Sequence, residues 1–183
     1  MSSSAELKRL LDSIYQRTRD EIRPGLEGVA ALDARLGSPS SALRSVVVAG
    51  TNGKGTCART IEAVARAHGL RTGLFTSPHR SRLNERYRID GVEVSDDALV
   101  AALERADNGH ATFFELSTAC AFLLFHEAEV DLAILEVGMG GRLDAVNWVD
   151  GDVAAVVSIG LDHTEYLGQT LREIAAEKIA VSR

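Results

Sequence analysis

An α/β fold with a mainly parallel sheet flanked by helices is expected from the order of apolar patterns along the chain. Short continuous apolar runs at 46–49, 132–137 and 153–159 have the character of strands buried on both faces. They alternate with stretches of helical periodicity, as strand–helix–strand units require. Polar, mostly glycine-bearing segments follow the strands at 50–56, 76–79, 136–144 and 158–163. In parallel sheets ligands bind beyond the carboxyl ends of the strands, so these segments are the place to look for chemistry.

Each element has a local cause. Leu7, Leu10, Leu11 and Ile14 fall on one helical face after a serine-rich start, which predicts a helix over 5–18. Leu26, Val29, Leu32 and Leu36 predict a short second helix closed near Gly37 and Pro39. The strand at 46–49 leads into a glycine-rich loop, then a helix through Ile61, Val64 and Ala65 that ends at Gly69. A strand at 72–76 follows. Asp90-Gly91, flanked by the segments 86–89 and 92–94, predicts a two-residue hairpin turn. Ser95 is placed to cap a helix running to about Asp107. Thr112 and Glu115 have capping-box spacing ahead of a helix over 113–128. Thr170 starts the last helix, which carries Glu173, Glu177 and Lys178.

Bulk properties narrow the function. A chain of 183 residues, 45% hydrophobic and 25% charged, is expected to form one folded domain. A net charge of −6 argues against general nucleic-acid binding, which shows as a basic patch. No apolar run is long enough to span a bilayer, and the start of the chain lacks a basic-then-apolar leader pattern. Cys57 and Cys120 have no metal-binding spacing and are expected as small apolar side chains on helices. The expected compartment is the cytoplasm.

The clearest chemical motif is Gly50-Thr51-Asn52-Gly53-Lys54-Gly55-Thr56 between strand and helix. Backbone N–H groups and a helix N-terminus aimed at one point form an anion cradle, and a lysine adds a mobile charge. The spacing departs from the common phosphate loop, since Val48 stands where that pattern has glycine and Gly55 separates Lys54 from Thr56. This form of the loop resembles that of the Mur ligase superfamily. Thr76-Ser77-Pro78-His79, Asn84-Glu85-Arg86, the run from Leu135 to Asp144 and the run from Leu161 to Gly168 follow in order. Together they resemble the dihydrofolate synthase/folylpolyglutamate synthase branch, from about Pro24 to Lys178.

The resemblance implies a central-domain Mur ligase fold that binds ATP and Mg²⁺. It implies an amide bond made between glutamate and dihydropteroate or a folate through an acyl phosphate. Glu136, Ser77 and His163 are then expected around magnesium, with Lys178 contributing if carbamylated. Lys54, Glu136, His163 and Lys178 are the expected catalytic set. Phe114, Asp144 and Ala145 are expected against the pterin. From the residues alone, an acid ending an apolar strand, as Glu136 does, is costly unless paired or metal-bound. His163 alone is an ordinary loop histidine, Lys178 an ordinary surface lysine and Phe114 an ordinary core ring. Arg80, Arg82, Arg86 and Arg88 are expected as a solvated basic loop. Val146 stands where the family commonly has threonine, and Ile179-Ala180-Val181 replaces its usual continuation after the lysine.

Members of that branch run to about twice this length, so the domain is expected to be truncated at Arg183, with a carboxy-terminal domain absent and turnover by this chain alone impaired. The complete form is expected to act as a monomer on small molecules, without nucleic acid or membrane. Two other readings stay open: a peptidoglycan-precursor Mur ligase, against which stand the short segment before the loop and the Ser-Pro-His motif, and a nucleotide-binding module without catalysis.

Overall fold

The computed structural model describes residues 2–18 and 23–182. In chain order the elements are α1 (Ser3–Thr18), α2 (Glu27–Arg35), β1 (Ser45–Ala49), α3 (Lys54–Ala67), β2 (Thr72–Phe75), β3 (Tyr87–Ile89), β4 (Val92–Glu93), α4 (Asp96–Ala106), α5 (Phe113–Glu127), β5 (Leu132–Glu136), β6 (Val153–Val156), α6 (Thr164–Leu167) and α7 (Leu171–Ile179). They build one six-stranded sheet in the order β4-β3-β2-β5-β1-β6. The strands β2, β5, β1 and β6 are mutually parallel, so their carboxyl ends share one edge of the sheet.

The sheet separates two layers. Alternation along β1 sends Val46 and Val48 to one face, where they pack with Leu74 and Ile134 against Ala58 of α3. Val47 and Ala49 go to the other face, into a larger core with Phe75, Leu135 and the buried length of α5. That helix is covered by α1, α2 and α4, which explains why it is apolar all round rather than along one stripe. The helix starts follow the sequence: Thr112 and Glu115 exchange backbone and side-chain hydrogen bonds at α5, as Thr170 and Glu173 do at α7. Ser95 accepts Ala98 N at α4. Among the described residues no helix is long and apolar enough to cross a membrane.

Three details differ from the expectations. The hairpin forms at Asp90-Gly91, both with positive φ, but β3 also pairs antiparallel with β2, so the hairpin extends the main sheet and makes it mixed. Strand β6 stops at Val156, because residues 157–160 turn to bond the glycine-rich loop instead of a strand. A short helix, α6, occupies 164–167 between His163 (φ 46°) and Gly168 (φ 108°), where no element was expected.

Candidate functional site

The glycine-rich loop leaves β1 and is pinned from the neighbouring strand exit. Thr51 N donates to Ser158 O at 2.9 Å and Asn52 N to Ser158 Oγ at 2.9 Å. Thr51 Oγ1 accepts Gly160 N at 3.0 Å. Gly53 sits at φ 83°, a left-handed turn that favours glycine, and opens α3 without any side chain capping the helix. The uncapped first-turn N–H groups point where an anion would sit. Lys54 Nζ meanwhile donates to the loop's own carbonyls, Gly50 O at 2.9 Å and Thr51 O at 3.4 Å. Gly55 brings the backbone against the next strand exit: a Cβ there would lie 3.5 Å from both carboxylate oxygens of Glu136.

Glu136 ends β5 and is 5% exposed. Its Oε2 accepts Ser77 N at 3.0 Å, and among the described residues no cation pairs with it directly. Burial raises its pKa, opposed by that hydrogen bond and by the charges of Lys54, Arg59 and Arg86. A buried, under-compensated carboxylate beside an anion cradle suits a hard divalent cation, which completes its shell with water and phosphate oxygens. His163 lies half-exposed, its Nε2 3.7 Å from Asp162 Oδ2. Among the described residues no three histidine, cysteine or acidic side chains gather as a protein cage. Any cation held here would therefore lean on oxygens from its substrates.

Lys178 is not the surface lysine its helical position would give. It is 2% exposed, and its Nζ donates to Gly50 O at 3.2 Å, the carbonyl that Lys54 also uses. Burial lowers its pKa, the Lys54 charge lowers it further, and Asp162 and Asp144 pull it back up. The preceding residue clasps the opposite wall: Arg142 N donates to Glu177 O at 3.0 Å, and the Arg142 guanidinium holds Glu177 Oε1 at 2.8 and 3.0 Å.

Beyond the loop opens a cleft of about 350 Å³ lined by Phe114, Gly138, Asp144, Ala145, His163 and Tyr166, among others. Phe114 lies on the backbone of Gly138, where a Cβ would come within 2.6 Å of its ring. Its centroid is 6.2 Å from that of Phe75. Asp144 is buried, and its two oxygens accept Met139 N and Val146 N, both at 2.9 Å, so it shapes the wall it belongs to. Burial pushes its pKa up to about 6 against those hydrogen bonds.

Three arginines here differ from the expectation. Arg86, assigned to a solvated loop, is 7% exposed, because the 83–86 turn faces it inward against Phe113 at the start of α5. Its guanidinium carbon stands 5.1 Å above the Phe113 ring, and its Nε donates to His79 Nδ1 at 2.9 Å. Among the described residues no carboxylate pairs with it. Burial lowers its pKa, while Tyr87, Tyr15 and Glu136 raise it. Arg82 and Arg88 are also not simply solvated, since both pair with Glu93. The sequence signal was the strand pattern after Arg86, which left that arginine at an inward-turning strand start.

The Mur ligase middle domain profile matches residues 48–182. The chain belongs to the Mur ligase family. Over 177 residues this Mur ligase chain is 44% identical to the dihydrofolate synthase/folylpolyglutamate synthase of Escherichia coli strain K12, a match covering 94% of this chain and 41% of that relative. Its fold superposes with a TM-score of 0.90, at 40% identity, on E. coli FolC in complex with DHPP and ADP, covering 99% of this chain and 45% of that one. With a TM-score of 0.86 and 40% identity it matches a bifunctional folylpolyglutamate synthase/dihydrofolate synthase with Mn, AMPPNP and L-glutamate bound, again over 99% of this chain and 45% of the other. The chain thus spans less than half the length of these relatives.

Proposed function

We propose that this Mur ligase is an ATP-dependent acid–amino-acid ligase joining glutamate to dihydropteroate or a folate, and that residues 1–183 carry its ATP-binding domain. The observation that carries the reading is the convergence, at one sheet edge, of an uncapped glycine loop with Lys54, a buried Glu136, a buried Lys178 and an aromatic-walled cleft. The named relatives, with their nucleotide, DHPP, manganese and L-glutamate complexes, support the substrate classes.

In this reading Gly50, Thr51, Asn52, Gly53, Lys54, Gly55 and Thr56 hold the ATP phosphates, with Lys54 exchanging its loop carbonyls for phosphate oxygens. Glu136, Ser77 and His163 hold magnesium, which supplies charge neutralisation on the phosphates when bound. Phe114, Asp144 and Ala145 position the pterin acid so that its carboxylate faces the γ-phosphoryl group. That carboxylate takes the phosphoryl group with ADP leaving. The glutamate amine then attacks the acyl carbon and inorganic phosphate leaves. Arg86, a buried guanidinium without a carboxylate partner, fits the amino acid's carboxylate. Carbamylation of Lys178 requires an amine with a free lone pair, and its lowered pKa supports that chemistry.

The test is ADP release by the protein expressed from its complete reading frame, with ATP, Mg²⁺, dihydropteroate and glutamate, omitting one component at a time. Release that needs all of them supports the reading. Release indifferent to glutamate and pterin acid refutes it.

A further inference from the structure

Among the described residues, the guanidinium of Arg86 is oriented by a single polar contact. Its planar face rests on the Phe113 ring, 5.1 Å from guanidinium carbon to centroid, which allows it to rotate within its own plane. The Nε–H bond to His79 Nδ1, 2.9 Å long, stops that rotation. With Nε used, the terminal amino groups remain, and among the described residues neither has an acceptor. That pair is the half of a guanidinium that matches a carboxylate in two parallel hydrogen bonds. Glu136, the buried acid at the neighbouring strand exit, acts on Arg86 electrostatically but forms no ion pair with it.

We propose that His79 is a positioning residue: its Nδ1 lone pair locks Arg86 so that the free fork faces the carboxylate of the amine substrate. This rests on the ligase reading above and adds a requirement to it. An imidazole is suited to the task because it offers one in-plane acceptor at a fixed distance from the backbone, whereas an acid would pair with the guanidinium and consume its charge. His79 follows Pro78 in the segment leaving β2, and the three residues after it are tied down by Glu85, which accepts Arg80 N, Ser81 N and Arg82 N. The acceptor therefore comes from a loop that is itself braced.

Geometry separates a positioning role from a packing role. Asparagine places an oxygen acceptor near the position of Nδ1, glutamine reaches beyond it, and leucine supplies none. The experiment compares His79→Asn, His79→Gln and His79→Leu with the unsubstituted protein from the complete reading frame. L-glutamate and a non-hydrolysable ATP analogue are titrated by calorimetry in the presence of the pterin acid. We expect His79→Leu and His79→Gln to weaken glutamate about tenfold or more, the loss of a charge-assisted fork, and His79→Asn to stay within about threefold. ATP-analogue affinity, unchanged in all of them, reports intact folding. Glutamate affinity unaffected by His79→Leu, or equally reduced by His79→Asn, overturns the proposal while leaving the ligase reading in place. Failure of the unsubstituted protein to bind glutamate overturns the proposal as well, and the ligase reading is then judged separately by its ADP-release test.

Discussion

Adding one methyl group at Gly138 separates the cleft from the phosphate loop. The backbone there is not in the left-handed region, so alanine brings no conformational strain, and the perturbation is steric. The new Cβ would lie 2.6, 2.8 and 3.1 Å from three carbons of the Phe114 ring. Carbon atoms prefer roughly 3.5–4.0 Å, so the ring edge must move by about 1 Å. Phe75 blocks retreat into the core, at 6.2 Å between centroids, which directs the ring into the cleft. Overpacking of this kind costs about 1–3 kcal/mol, and if half is felt by the ligand the pterin acid should bind roughly two- to twelvefold more weakly. Calorimetry with dihydropteroate and with an ATP analogue distinguishes the outcomes. The pterin acid should weaken while the nucleotide stays within about twofold, and Phe114→Leu in the same chain should restore part of the loss through a positive coupling. An unchanged pterin affinity, or a parallel fall in nucleotide affinity, would refute the assignment of Phe114 to the substrate wall.

Lys54→Ala should remove a charge-assisted contact worth about 1.5–3 kcal/mol, hence about ten- to a hundredfold in ATP affinity by calorimetry. Glu136→Gln keeps the side chain's shape and removes its charge; nucleotide binding should lose its Mg²⁺ dependence, and a wild-type dependence would exclude Glu136 as a ligand. Asp144 has a folded-state pKa of about 6, above its unfolded value of 3.8, so the folded form holds the proton more tightly. The protein should therefore lose stability relative to Asp144→Asn as pH rises from 4 to 6, with the difference level above 7, measured as urea midpoints across that range.

What the sequence disclosed was whatever depends on neighbours along the chain. The capping box at Thr112, the helix start at Thr170, the Asp90-Gly91 turn and the buried strands β1 and β5 each have a local cause and formed where expected. By contrast β6, expected as a buried strand over 153–159, lies at the sheet edge with Val153 and Val156 exposed. The attachment of β3 to β2 was not legible, since strand pairing depends on which edge is free and not on the strand's own pattern. Burial of Arg86 and Lys178 escaped for a related reason. A charged residue at a turn or on a short helix is normally solvated, and only the convergence of several strand exits encloses it. His79 lay inside a motif already noted, yet its part as an acceptor depends on the direction of one ring nitrogen, which spacing does not carry.

The most compact piece of the site is the pair Glu177 and Lys178. Consecutive residues on a helix point in different directions, so one turn of α7 can reach two walls that are far apart in sequence. Glu177 takes the 138–144 wall through its main-chain carbonyl and its carboxylate, while Lys178 takes the phosphate loop at Gly50. Gly141 has no room for a side chain at that junction, where a Cβ would meet Glu177 O at 2.5 Å. The Gly50 carbonyl is shared by two lysines with different prospects. Lys54 is only half-buried and also reaches Thr51 O, so it can release the Gly50 carbonyl for a ligand at the loop. Lys178 is enclosed and can leave only by changing its own charge or by moving α7, and either change would also disturb the Glu177 clasp on the cleft wall. The protonation and chemical state of one buried amine is thereby tied to the shape of both the glycine-rich loop and the cleft beside it.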